Sequence, residues 1–107
     1  MFEFPQICQK IKQPGWHVQW DKHAQVPFAV RNIEWLTFDN LASVQAKLEY
    51  VLHHNLGGAM IWEVNGDDWH GHCGQGKFPL MKSVAHMLNH GKCGFNFEPF
   101  LCFNSFF

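Results

Sequence analysis

The chain has 107 residues, 47% of them apolar, and a net charge of −1. That length allows one domain at most, and a near-neutral charge without a basic stripe excludes a phosphate-driven nucleic-acid binder. No apolar run is long enough to span a bilayer, and Met1-Phe2-Glu3-Phe4-Pro5 has neither the basic leader nor the long apolar stretch of a signal peptide. Cys8, Cys73, Cys93 and Cys102 show no C-x-x-C spacing, which fits scattered disulfides better than a zinc knuckle or a redox pair. Disulfides belong to an oxidising compartment, yet nothing in the chain would direct it there. The expectation is therefore that the natural protein begins further upstream.

In chain order, Ile7 and Ile11 lie one helical turn apart and Pro14-Gly15 is a stop, which predicts a brief helix. Trp16 to Asp21 alternates apolar and polar residues, a strand pattern. Val26 to Val30 is a second strand, with Pro27 limiting it to an edge or its start, and Arg31-Asn32 is a turn. Ile33 to Phe38 is a third strand, rich in aromatic and branched residues. Asp39 or Asn40 can cap the helix that follows. Its apolar stripe is Leu41, Val44, Leu48, Val51, Leu52 and Leu56. That helix runs to His54 or Asn55, where Gly57-Gly58 lets the backbone leave at positive φ.

Ala59 to Trp62 is short and apolar on both faces, as a covered parallel strand should be. Strand 33–38, the helix and strand 59–62 read as a βαβ unit with parallel strands. Residues 70–77 are a loop, and Pro79 opens another helix with Leu80, Met81, Val84, Met87 and Leu88 on its buried face and Gly91 as its end. Residues 91–107 are Phe-rich with no period and would be an aggregation liability if exposed. They either dock on the body or do not belong to the folded protein. Two parallel strands cannot bury both faces or protect their edges, so the units must lean on further strands of a larger α/β protein.

At Gly57-Gly58-Ala59-Met60-Ile61-Trp62 the chain resembles the last barrel strand of family-18 glycoside hydrolases, the chitinases and their relatives. Val26-Pro27-Phe28-Ala29 and Glu34-Trp35-Leu36-Thr37-Phe38-Asp39-Asn40 are similar to the family's "KVPYAY … QWVGYDD". Asp67-Asp68-Trp69-His70-Gly71 resembles its "DDFxG", and Cys73-Gly74-Gln75-Gly76-Lys77-Phe78-Pro79-Leu80 its "CNQGKFPL". Ile7-Cys8 and Gly15-Trp16 resemble its "Y-E-I/V-C" and the "GW" after it. The match covers residues 6–88 in order, and the animal chitinases are the nearest branch.

The resemblance implies an α/β fold, part of a (β/α)8 TIM barrel. Residues 1–90 would form its C-terminal part. Within that part, 16–32 would end a small α+β insertion domain, 33–54 would be strand and helix seven, and 58–88 strand and helix eight; 91–107 form a tail of separate character. A whole barrel needs about 250 residues. The family's catalytic motif, D-x-x-D-x-D-x-E, supplies the acid and orients the substrate's N-acetyl group. It is absent from these 107 residues, and Asp67-Asp68 does not replace it.

The resemblance also implies site residues. Trp62 would be the floor on which a sugar stacks at the cleavage point, and Met60, on the same side of the strand, would line the pocket. Burying roughly 80 Å² of sugar surface on the indole is worth about 2 kcal/mol. Cys8 and Cys73 align with cysteines that pair in animal members, whereas Cys93 and Cys102 lie outside the resemblance and no pairing is expected. The implied ligand is chitin or a chito-oligosaccharide, in an extracellular parent protein, with no nucleic acid, membrane or cofactor involved. Asp67, Asp68, His70, His72 and Cys73 have zinc-ligand chemistry but no regular motif spacing, so no metal is expected. Gln6 stands where the family usually has a carboxylate, and Glu63 where a small residue usually follows the Trp. The implied function is a chitinase fragment, inactive alone. The alternatives are a non-catalytic chitin-binding lectin and a small zinc-binding domain.

Overall fold

The structure is a computed structural model that describes residues 3–90. Its elements are α1 (Phe4–Lys10), β1 (His17–Asp21), β2 (Val26–Arg31), β3 (Glu34–Thr37), α2 (Leu41–His53), a 3₁₀ turn (Val64–Gly66) and α3 (Pro79–His90). Pro5 sits in the first turn of α1, where its missing N–H costs nothing. Gly15, at φ +89°, turns the chain into the sheet.

The three strands form one antiparallel sheet in the order β1-β2-β3. In the first hairpin the Asp21 carboxylate accepts the N–H groups of His23 (2.8 Å) and Ala24 (3.0 Å), a turn device typical of aspartate. In the second, Asn32 takes φ +53° and Ile33 stands 99% exposed at the tip. Arg31 and Glu34 bond across that tip at 2.6 Å. The Arg31 hydrogen bond holds the Glu34 carboxyl below the usual carboxylate range. Strand β2 is central, so Pro27 is tolerated because it lies at the strand's start. Ala29 and Pro27 are fully buried on the side where β2 meets α2. Trp16 is buried beside Lys10 and Arg31, whose charged groups lie 5.4 Å and 4.8 Å from its ring.

Helix α2 begins with a reciprocal cap. The Asn40 side chain accepts the Ser43 N–H (2.9 Å), and the Ser43 hydroxyl accepts the Asn40 N–H (2.9 Å). At the other end Asn55, at φ +49°, makes the left-handed turn expected of Gly57-Gly58; asparagine is the side chain that best tolerates it. Helices α2 and α3 pack together. Leu48 and Met87 are the buried apolar residues of the two helices. Most of the expected stripe is half-buried, and Leu56 is 50% exposed. The expected helix end at Gly91 and the 91–107 tail lie outside the described residues.

The parallel βαβ unit is not formed. Strand β3 pairs antiparallel with β2, and Ala59 to Trp62 forms no strand among the described residues. Nor is that segment covered: Met60 is 83% and Trp62 87% exposed. The physical reason is that a strand exists only through its ladder partners, and a lone parallel pair leaves both faces and both outer edges unsatisfied. Residues 33–38 accordingly join the antiparallel sheet of 16–32 instead of standing apart as a parallel barrel strand.

Candidate functional site

A cavity of about 810 Å³ opens between α1, α2, α3 and the 59–67 segment. Met60 and Trp62 both line it, with Leu48, Val84 and Met81 on the helix side. The structure thus brings the two predicted ligand residues to one hollow, on the extended segment leading into the 3₁₀ turn. The Trp62–Glu63 peptide is cis. Glu63 is exposed, so its charge reaches solvent. Asp39 and Lys47 form a polar wall, the ammonium contacting the two carboxylate oxygens at 2.6 and 2.7 Å. Asn40 is a helix cap and does not line the cavity. The Gln6 side-chain oxygen accepts the Glu3 N–H at 3.1 Å.

The floor of this region is held by two groups whose part in the fold the sequence did not disclose. Asp67 and Asp68 are 3% and 0% exposed, among the most buried residues of the protein. The Asp68 carboxylate accepts three backbone N–H groups, from Gly71 (2.9 Å), His72 (3.0 Å) and Cys73 (2.7 Å). Burial pushes its pKa up, but the Cys73, His72 and Gly71 bonds outweigh that and hold it below the usual carboxylate value. Asp67 accepts the N–H groups of Leu80 (3.3 Å) and Met81 (2.9 Å). These are orphan donors of the first turn of α3, so Asp67 caps that helix from a distance and places a negative charge at its positive end. The available signal was an Asp-Asp pair before a glycine-rich loop, since aspartate is the residue that accepts turn N–H groups. Gly71 is required there: at φ +79° an added Cβ would lie 3.3 Å from the Gly76 carbonyl carbon.

The loop is also covalently held. Cys8 of α1 and Cys73 are disulfide-bonded, with Cα atoms 5.8 Å apart. This bond closes a loop of 65 residues, worth roughly 4 kcal/mol in the chain-entropy account. The cluster considered for zinc is therefore already engaged. Both aspartates are occupied by backbone N–H groups and Cys73 by Cys8, while His70 stacks on Trp69 (3.6 Å) and on His72 (4.9 Å). Among the described residues no group of three or more His, Cys, Asp or Glu side chains is placed to hold a metal. No helix among them is long and apolar enough to cross a membrane.

Residues 1–67 match the sequence profile of the glycosyl hydrolases family 18. The putative chitinase 1 of Margaritifera margaritifera is 44% identical over 82 residues, which are 77% of this chain and 17% of that protein. The crystal structure of Ostrinia furnacalis Group IV chitinase in complex with allosamidin superimposes with a TM-score of 0.80 at 39% identity, covering 83% of this chain and 24% of that one. Human YKL-39, a pseudo-chitinase with retained chitooligosaccharide binding, superimposes with a TM-score of 0.76 at 36% identity, covering 82% of this chain and 24% of its own; it has also been solved with GlcNAc4. The chain belongs to glycosyl hydrolase family 18. It spans about a fifth or less of the length of the curated relatives it matches, and its fold corresponds to part of the family's barrel.

Proposed function

We propose that this chain is the C-terminal quarter of a chitinase-type barrel and supplies the floor of its sugar cleft. In this reading residues 1–90 belong to the barrel region. Residues 16–32 close the small insertion domain, 33–54 carry the seventh strand and helix, and 58–88 the eighth. Trp62 is the platform under one N-acetylglucosamine unit, with Met60 beside it. The observation that carries this reading is the position of an 87% exposed indole at the mouth of a mostly apolar hollow. A pyranose presents an apolar C–H face, and an exposed, rigid aromatic surface is what such a face stacks on. The intact parent would hydrolyse the β-1,4 bonds of chitin. The acid and the N-acetyl-orienting carboxylate come from residues outside these 107, so this chain binds and does not cleave. An extracellular parent suits the Cys8–Cys73 disulfide.

A second reading is favoured by the similarity to YKL-39: a chitinase-like protein that binds chito-oligosaccharide without turnover. One measurement separates the two. The parent protein, assayed on a fluorogenic chitobioside, turns over if it is the enzyme; binding with no turnover identifies the lectin-like form. For this chain alone, chito-oligosaccharide titration should quench Trp62 fluorescence with no product formed. Cleavage by the isolated chain, or binding unchanged in Trp62→Ala, would refute the proposed role of this region.

A further inference from the structure

Between Trp62 and the buried Asp67 the chain makes a 3₁₀ turn, Val64–Gly66, that buries none of its residues. Two main-chain bonds span it, from the Gly66 N–H to the Glu63 oxygen (3.0 Å) and from the Asp67 N–H to the Val64 oxygen (3.1 Å). A turn with exposed bonds and no buried side chain opens at little cost in free energy. Asn65, in its middle, is exposed, and its side-chain amide makes no hydrogen bond to another described residue. Asparagine is among the thermolabile side chains, and the residue after this one is glycine. A Cβ added at Gly66 would meet nothing within 4 Å, and its φ is not in the left-handed region, so neither a close contact nor a special conformation calls for glycine here. What the missing Cβ does leave is an unhindered main-chain nitrogen next to the asparagine amide. The other asparagines of the described region do not share this setting. Asn32, Asn55 and Asn89 are also exposed but precede Ile33, Leu56 and His90, and the Asn40 side chain is engaged with the Ser43 N–H.

We propose that Asn65-Gly66 is a self-modification site, where the chain rearranges through a succinimide and places an isoaspartyl link in the rim of the cavity. With the turn open, the Gly66 nitrogen gives up its proton to solvent and bonds to the side-chain carbonyl carbon of Asn65. The bond from that carbon to Nδ2 breaks, and the nitrogen takes up a proton and leaves as ammonia. One water molecule then opens the ring, and nothing is oxidised or reduced at any step. Water attack at the side-chain carbonyl restores the ordinary chain with aspartate at this position. Attack at the main-chain carbonyl, the more electrophilic because it adjoins the nitrogen-bearing carbon, breaks its bond to the Gly66 nitrogen. The product is isoaspartate, whose main chain runs through Cβ and Cγ. The added carbon lies inside both hydrogen-bonded rings of the turn, so neither bond keeps its geometry. Asp67 supplies the N–H of one of them and caps α3 through Leu80 and Met81, so the change is carried from the rim to that cap. The new carboxylate also joins Glu63 and Asp67, both of which line the cavity, and makes that side more negative. The reaction is independent of whether the cavity takes a sugar.

The test keeps the full chain, with Cys8–Cys73 oxidised, at mildly alkaline pH and follows it by peptide mapping and fragmentation mass spectrometry. The peptide holding Asn65 should gain the mass of an amide-to-acid exchange, with isoaspartate in excess of aspartate. The peptides of Asn32, Asn40, Asn55 and Asn89 should stay unchanged over the same time. Gly66→Ala, which the turn accommodates without a clash, should lose the reaction, with circular dichroism as the check that it is folded. The aged chain should unfold at lower urea than freshly purified Asn65→Asp, which has the charge without the added main-chain carbon. A chain modified at Asn65 in urea but not in buffer would overturn the proposal, because the folded turn would then be closed to the reaction. An equal rate in Gly66→Ala, equal modification at the other asparagines, aspartate as the sole product, or the same unfolding midpoint for the aged chain and Asn65→Asp would overturn it too.

Discussion

Two stretches separated in the sequence by only four residues are held by opposite means. Residues 67–78 are a loop of polar and glycine residues, yet they are fixed by two buried carboxylates, five bonds from those carboxylates to N–H groups beyond the aspartates themselves, and a disulfide. Residues 56–62 are almost wholly apolar, yet they form no strand and lie largely open to solvent. Hydrogen bonds and a covalent bridge act locally and can order a short segment by themselves. An apolar strand needs neighbours on both faces and both edges, and its stabilisation is in proportion to the area they cover. Polarity therefore marks the self-sufficient region here, and hydrophobicity marks the region that depends on others.

This contrast can be broken experimentally. The largest effect should come from the disulfide: Cys8→Ser/Cys73→Ser should cost roughly 4 kcal/mol in urea unfolding, and an unchanged midpoint would mean that the loop is held without it. Leu48→Ala, which empties part of the core that α2 supplies, should cost about 3 kcal/mol. Asp68→Ala comes next, at about 2 to 3 kcal/mol, because it removes the buried acceptor of three loop N–H groups.

The same carboxylate sets an acid limb. Its folded pKa lies below the ordinary aspartate value, so the unfolded chain binds the proton more readily. Its contribution is complete above the unfolded value and is lost as pH falls through the lower folded one. A pH titration of stability should show that loss in the parent and not in Asp68→Asn; parallel curves would remove Asp68 from the account. The smallest effect on stability belongs to the open region. Trp62→Ala should change unfolding by no more than about 0.5 kcal/mol, while weakening chito-oligosaccharide binding about 30-fold, the equivalent of about 2 kcal/mol. A large loss of stability in Trp62→Ala would show that the indole is packed and not presented.

What the sequence disclosed divides along the same line. Period and punctuation located both long helices and the three strands, and narrowed the α2 cap to Asp39 or Asn40, of which the structure uses Asn40, because each depends on residues within a turn or two of one another. The pairing partner of residues 34–37 was not legible. Antiparallel hairpin or parallel crossover is a choice made by contacts distant in sequence, and the two-residue turn at Asn32-Ile33 decided it. Asn55 took the left-handed position ahead of two glycines because the helix ended at His53, one or two residues earlier than expected, while Gly58 also adopts a positive φ. Met60 and Trp62 were paired by the family resemblance, and both line the hollow. Asp67 and Asp68 were legible as motif letters only, since a carboxylate that caps a helix twelve residues away gives no local period.

Trp16 has a consequence for any optical study of this molecule. It is the one tryptophan of five that is buried; Trp20, Trp35, Trp62 and Trp69 are between 37% and 87% exposed. Four of the five indoles are thus at least partly open to solvent in the native state. The largest change in exposure on unfolding is that of the one indole beside Lys10 and Arg31. A Trp16→Phe variant should therefore lose the largest single part of the fluorescence change on unfolding, the part that reports the release of that junction.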